Sequence, residues 1–256
     1  IFICLWIQYV LDTCATVDQV IASASSMNIE GWGWHFLAAD RSGAMAAIEF
    51  LDGKRVVHRD ETMPVPVLCN EPYDFEMRRR EAFLSCPAGD AASAGEEEIP
   101  RFVQAEDMIR HYERLAPSER KPALDYAFAI LNALERGGTQ WSFVCDLNKQ
   151  EAWFKTASMP KVKHVALRHF KKECGKPVKF LDLDSDFAGK ANGRFKEYSP
   201  AANRSIIEQA LAAILRISPD FEKKIAQLGE TREGLIARFV AYPETTKCPG
   251  TRSRQK

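Results

Sequence analysis

The chain has 256 residues, 46% of them hydrophobic, with 35 basic and 35 acidic side chains. That length can bury a core as one large domain or two small ones, and the composition is that of a globular protein rather than a disordered one. A net charge of zero provides no global field toward nucleic acid or an anionic membrane surface.

The opening stretch, "IFICLWIQYVL", is apolar from Ile1 to Leu11 except at Gln8. A secretory signal needs a basic leading region, and a spanning helix needs about 20 apolar residues. Here no Lys or Arg precedes Arg41, and the run stops at Asp12. The expectation is therefore an interior segment, packed in a core and cut from a longer protein. Thr16-Val17-Asp18-Gln19 fits a capping box, and Val17, Val20, Ile21 and Ala24 follow at helical spacing.

"WHFLAADRSGAMAAIEFLDGKRVVHR" predicts three strands joined by tight turns at Arg41-Ser42-Gly43 and Asp52-Gly53. "VPVLCN" predicts a fourth strand ending at Asn70. The polar stretch from Glu71 to Pro100 contains Arg78, Arg79 and Arg80, and reads as a long loop. A helix is expected to start near Arg101. A second is expected from Ser118 to Arg136, with Leu124, Phe128, Leu131 and Leu134 as its buried stripe. Strands return in "TQWSFVCDL", "EAWFKT", "KHVAL" and "VKFLDL". Ser199-Pro200 is a helix start, after which Ile206, Ile207, Ala210, Leu211, Ile214 and Leu215 line one face. Short helices run on to Tyr242. Strands in runs and helices in runs indicate an α+β fold with antiparallel sheets. One domain is expected over 1–242, followed by a basic, disordered tail over 243–256.

The seven cysteines are Cys4, Cys14, Cys69, Cys86, Cys145, Cys174 and Cys248. No pair has C-x-x-C spacing, so neither a zinc site nor a full disulfide framework is indicated. His164 and His169 are five apart, which does not put two ligands on one helix face. "DLDSDFAGK" offers Asp182, Asp184 and Asp186, but an EF-hand loop counted from Asp182 would need glycine and glutamate where Phe187 and Gly193 stand. It reads as a polar turn. No Gly-rich phosphate loop is present, and no metal or cofactor is expected. Arg78, Arg79 and Arg80 could meet an anionic substrate, although a solvated loop is the default.

"WIQYVLDTCATVDQVI", "HFLAADRSGAMAAIEFLDGKRVVH", "PVLCNEP", "RFVQA", "TQWSFVCDL" followed by "WFKT", and "KPVKFLDL" occur in an order that resembles one family from Leu5 to Arg204. This is the linear-amide C–N hydrolases: choloylglycine hydrolases, penicillin V acylases and N-acylethanolamine amidases. The resemblance implies an N-terminal-nucleophile hydrolase fold, an αββα sandwich of two antiparallel sheets between helical layers, incomplete at its N-terminus. It also implies a cysteine nucleophile whose own α-amine handles the proton.

The family expects an arginine and an aspartate at set distances after that cysteine, which Cys4 lacks, so the nucleophile is expected upstream of Ile1. By the resemblance, Asn70 in "LCNEP" matches the oxyanion-hole asparagine, although Cys69 stands where threonine is usual. Without the family, Asn70 is a turn residue capping a strand end. Arg101 in "PRFVQA" matches the arginine beside the nucleophile, where a fixed cation favours the thiolate. Its alternative is an exposed first-turn arginine. Trp141 and Ser142 match a family strand and read as structural. Cys69 as the nucleophile of an unrelated hydrolase has no histidine placement to support it.

The implied partner is a small-molecule acyl-amide such as a conjugated bile salt, penicillin V or an N-acyl amine. No nucleic acid and no membrane span are expected, and a homo-oligomer is expected by analogy alone. The sequence selects neither the substrate nor the compartment. The competing reading is a non-catalytic, degenerate binding module that keeps the sandwich, and the coding sequence before Ile1 separates the two.

Overall fold

The computed structural model describes residues 3–29, 33–85, 99–170, 178–227 and 229–245, and clusters into two compact units, Ile1–Lys149 and Gln150–Lys256. In the first unit, the opening apolar run forms helix α1 (Ile3–Thr13). Its Trp6 is 1% exposed, donates its indole N–H to Ser23 Oγ at 3.2 Å, and meets Phe36 and Phe50 edge-on. Such edge-to-face pairs add about 0.5–1.5 kcal/mol each beyond area burial. Leu5 and Trp6 are thus core, as the composition suggests, whereas Ile7 and Leu11 are exposed. Helix α2 (Val17–Ser26) starts at the expected capping box, with Thr16 accepting from Gln19 N–H and the Gln19 side chain reaching back. Val17 N–H, another free donor of the first turn, is taken by Asp40 at 2.9 Å.

The three expected strands form an antiparallel sheet, β1 (Trp34–Ala39), β2 (Met45–Leu51) and β3 (Lys54–Arg59), in the order β1-β2-β3. The β2–β3 turn places Asp52 at φ 50° and Gly53 at φ 73°, the left-handed pair that a two-residue hairpin requires. Because side chains alternate along a strand, Phe36, Ala46, Ile48 and Phe50 pack against α1 and α2. Ala47 lies on the opposite face, in a second cluster with Met63, Val65, Val67, Tyr73, Phe102 and Ala105.

The segment "VPVLCN" buries Val65 and Val67 as expected, but no strand is assigned to it. Pro64 and Pro66 have no N–H for a ladder, and Val67 N–H closes a tight turn onto the Val65 carbonyl at 2.9 Å. The Tyr73 phenol substitutes for the missing neighbour strand. It donates to the Val65 carbonyl at 2.9 Å and accepts the Val65 N–H at 3.1 Å.

The expected long loop after Glu71 contains helix α3 (Tyr73–Ser85), while 86–98 lies outside the described residues. The helix escapes a periodicity search because it buries Tyr73 and Glu76 rather than an apolar stripe. Helix α4 (Arg101–Arg114) begins as predicted, at Arg101. Helix α5 (Ala123–Ala133) starts five residues later than expected, at the proline that cannot sit inside a helix, and its apolar face is only half-buried. Strand β4 (Trp141–Asp146) follows, with Trp141 exposed and Ser142 buried.

In the second unit, β5 (Glu151–Thr156) pairs antiparallel with β6 (Lys163–Ala166). "VKFLDL" yields only β7 (Lys179–Phe180). A short β8 (Gly189–Lys190) runs parallel to β6, so pairing here is mixed rather than purely antiparallel, and β9 (Lys196–Glu197) pairs with β7. Helix α6 (Pro200–Ile217) has the expected cap, Ser199 accepting from Ala202 N–H. Its packed face is narrower than expected. Leu211 is buried and Ile207 and Leu215 half-buried, but Ile206, Ala210 and Ile214 are exposed. Helices α7 (Phe221–Gln227) and α8 (Arg232–Thr245) complete the unit. The expected tail begins within α8, and its residues from 246 onward lie outside the described residues. Among the described residues no helix is long and apolar enough to cross a membrane.

Helix α3 is tied to α4 by a buried ion pair. Glu106 accepts from Arg80 through both carboxylate oxygens and from Arg110 Nε at 2.7 Å. Burial pushes the Glu106 carboxyl up, but the Arg80 and Arg110 guanidiniums outweigh it and hold the carboxyl below its ordinary range. A lowered folded-state pKa stabilises the fold above the unfolded value, roughly pH 4.3, and that contribution is lost as pH falls through the folded value. Glu106→Gln should therefore cost about 3 kcal/mol at neutral pH, the usual loss on breaking a buried pair from one side. In denaturant titrations the gap between wild type and variant should close as pH drops below about 4. A gap that is constant with pH would assign the loss to packing instead.

Candidate functional site

On the second face of the sheet, alternation puts Glu49 beside Ala47, and Glu49 is 1% exposed. A buried carboxylate is tolerable only when hydrogen bonds satisfy its lone pairs. Glu49 Oε1 accepts from His35 Nδ1 at 3.2 Å and from the Tyr73 backbone N–H at 3.0 Å, and Oε2 accepts from His58 Nε2 at 3.2 Å. The carboxylate is acceptor-only, so the hydrogen bonds assign the proton to those two ring nitrogens. His58 Nδ1 lies 3.8 Å from Asp74 Oδ1, and the His58 ring packs 4.9 Å from the Tyr73 ring. His35 stands directly opposite Glu49 in the β1–β2 register.

Asn70 is exposed at the end of the irregular segment that Tyr73 pins at Val65. It lines an open cleft of about 350 Å³ with Gly33, Trp34, His35, Leu51 and Pro72. Arg101 does not line this cleft. It is half-buried at the first position of α4, where the neighbouring Phe102 is buried edge-on against Tyr73 at 5.9 Å. A cation there opposes the helix dipole by about 0.3–1 kcal/mol, so its place is not explained by helix stability.

From that position, the Arg101 charge acts on Cys69, the residue before Asn70, and on buried Glu76 of α3. Burial pushes the Cys69 thiol up to about 11, and the Glu76 carboxylate adds to this while Arg101 opposes it. Glu76 is itself raised, first by its burial. The Arg101 charge is thus felt at Cys69, the residue next to Asn70 in the chain.

No protein-family model matches the chain. It is 26% identical to a penicillin V acylase of Pectobacterium atrosepticum across 76% of its residues, and spans about 62% of that curated relative's length. It superposes on the structure of a penicillin V acylase from Agrobacterium tumefaciens with a TM-score of 0.61 and 25% identity, covering 78% of this chain and 68% of that one. A conjugated bile acid hydrolase from Clostridium perfringens shares the fold at 16% identity and a TM-score of 0.52, covering 78% and 67%. The chain is thus similar in sequence and in fold to penicillin V acylases. Its fold is the N-terminal-nucleophile hydrolase fold of those solved structures, of the α+β class expected.

Within this penicillin V acylase-like chain, Cys4 falls in α1, and its side chain lies outside the described residues. Of the basic cluster, Arg80 is committed to Glu106, while Arg78 and Arg79 are exposed on α3 and the Arg79 charge acts on Glu76. The three aspartates of "DLDSD" are engaged by this chain's own groups, Asp184 and Asp186 by residues around the end of β5 and Asp182 within the turn. Asp184 accepts from Thr156 and Ser158, Asp186 pairs with Lys161, and Asp182 accepts the Asp184 N–H.

Glu49, His35 and His58 were absent from the sequence-derived candidates, yet a signal existed. The two hairpin turns set the register, and that register puts an acidic residue of an apolar strand opposite one histidine and diagonal to another.

A thiol held near 11 is the reverse of an activated nucleophile. Alkylation of Cys69 by iodoacetamide, followed by peptide mapping, should climb with pH up to at least pH 10. Roughly one thiol in a thousand should be ionised at pH 8. Arg101→Ala should move the profile higher still, since Arg101 is the group that lowers it. A plateau near neutral pH would restore Cys69 as a nucleophile.

Proposed function

We propose that this chain is the larger part of a hydrolase that cleaves the C–N bond of a linear amide in a small acyl-amine substrate. The observation that carries the reading is the likeness to a penicillin V acylase over three quarters of the chain, supported by the superposition on a second acylase. The nucleophile is a cysteine in sequence outside these 256 residues, since no cysteine here has the context that the resemblance requires.

In this reading the cysteine thiolate adds to the amide carbonyl while its own α-amine takes the thiol proton. The α-amine then delivers that proton to the departing amine as the C–N bond breaks. Water cleaves the resulting thioester, releasing the acid and regenerating the thiol.

Asn70 acts as an oxyanion donor, because an amide N–H stabilises the negative oxygen of the tetrahedral intermediate without having to ionise. Its exposure at an open cleft leaves the amide accessible to a substrate carbonyl. Arg101 supplies the fixed cation of the constellation, and its charge already reaches the residue next to Asn70.

The 256-residue chain by itself should show no turnover of acyl-amines above background. Joined to the upstream sequence of its own reading frame, it should hydrolyse them. In that protein Asn70→Ala should lower kcat by about 10²- to 10³-fold and change KM much less, since the donor addresses charge that develops only during reaction. Steady-state kinetics on penicillin V and a conjugated bile salt would measure both. Near-normal turnover with weakened binding would make Asn70 a substrate contact and withdraw the oxyanion assignment. Turnover by the 256-residue chain, abolished by Cys4→Ala, would move the nucleophile to Cys4.

A further inference from the structure

We infer that Glu49 is a positioning residue for the Asn70 donor, its carboxylate fixing two sides of the cleft that Asn70 lines. The inference rests on the reading of Asn70 as an oxyanion donor.

The segment from Pro64 to Pro72 has no strand ladder to hold it, and its three prolines have no N–H to give. Tyr73 pins this segment at both ends. Its hydroxyl holds the N–H and the carbonyl of Val65, and its own backbone N–H is held by Glu49 Oε1 at 3.0 Å. The same oxygen accepts from His35 Nδ1 at 3.2 Å, and His35 lines the cleft with Asn70. The other oxygen is held by His58 Nε2 at 3.2 Å, which fixes the carboxylate plane. One buried group therefore sets the Asn70 segment and the facing wall of its cleft together.

Nothing in the packing calls for a charge here. Glu49 sits in a strand whose neighbours Ala46, Ala47 and Ile48 are fully buried, and an apolar residue of similar volume is generally as good or better for stability in such a place. A glutamine would keep the volume and lose one acceptor. Its amide oxygen could still serve Tyr73 or an imidazole, but its NH₂ would face a ring N–H.

The kinetic test uses the protein joined to its upstream sequence and compares wild type, Glu49→Gln, Asn70→Ala and the double variant. Glu49→Gln should lower kcat by about 10- to 100-fold, the scale of a misplaced catalytic group, with KM nearly unchanged. The double variant should be no slower than Asn70→Ala alone, because Glu49 acts through Asn70. Tyr73→Phe retains the ring packed on Phe102 but drops its hold on Val65, and should lower kcat in the same direction.

A kcat unchanged in Glu49→Gln, or losses that multiply in the double variant, would overturn the inference while leaving the oxyanion reading intact. Asn70→Ala at full turnover would overturn both. A readout independent of activity comes from the 256-residue chain. Hydrogen exchange at the Tyr73 amide should be at least about 10-fold faster in Glu49→Gln than in wild type, while the β1–β2 amides stay protected. Equal protection of Tyr73 in the two proteins would also overturn it.

Discussion

A carboxylate with three donors organises the first unit. Glu49 is taken almost entirely out of water, and the cost of desolvating a charge is offset only because His35, His58 and the Tyr73 N–H all reach it. Those donors come from β1, from β3 and from the start of α3, so the carboxylate ties three separate stretches of chain to β2. Tyr73 extends the tie in two directions, to Val65 through its hydroxyl and to Phe102 of α4 through its ring. Arg101 is adjacent to Phe102, and Asn70 lies between Val65 and Tyr73. Both residues taken from the family resemblance thus adjoin stretches that Tyr73 contacts, Asn70 through the Val65 hydrogen bonds and Arg101 through the ring of Phe102.

The two faces of the sheet achieve order by different means. Toward α1 and α2 the sheet presents Phe36, Ala46, Ile48 and Phe50, and packing of apolar volume around Trp6 suffices. Such a face tolerates volume-conserving exchange, because its forces are non-directional. Toward α3 and α4 it presents a carboxylate and two imidazoles around one alanine of the apolar cluster, and Arg80 and Glu106 close the layer above. Directional bonds tolerate little exchange but fix positions more tightly, which suits a face beside the proposed oxyanion donor.

What could be read from sequence follows the same division. Features made by local chemistry were legible: the Thr16–Gln19 capping box, the Asp52-Gly53 hairpin and the Ser199-Pro200 start all appear where the residues put them. Features made by a distant partner were not. Helix α3 has a polar buried side completed by Glu106, so no apolar period announced it. "VPVLCN" has the alternation of a strand, but its prolines, its tight turn at Val65–Val67 and the Tyr73 phenol leave it irregular and unladdered. Helix α6 shows six apolar positions of which one is fully buried, because composition reports what can be buried, not what finds a neighbour.

The site divides likewise. Asn70 and Arg101 came from resemblance alone; as bare residues, an asparagine before Glu-Pro and an arginine after proline are ordinary turn and helix-start choices. Glu49 could have been reached by physics, since one acidic residue at an inward position of "AAIEFL" conflicts with its strand. Such local conflicts are where function or a buried network is to be sought. The conflict is resolved by histidines 14 residues before and 9 residues after it. Only hairpins of the observed register bring both within reach, and a one-residue slip in either would turn its histidine to the apolar face. The turn residues Gly43, Asp52 and Gly53 are therefore what determine whether the cleft beside Asn70 has its histidine wall. Register, rather than side-chain identity alone, is the step that links this sequence to its site.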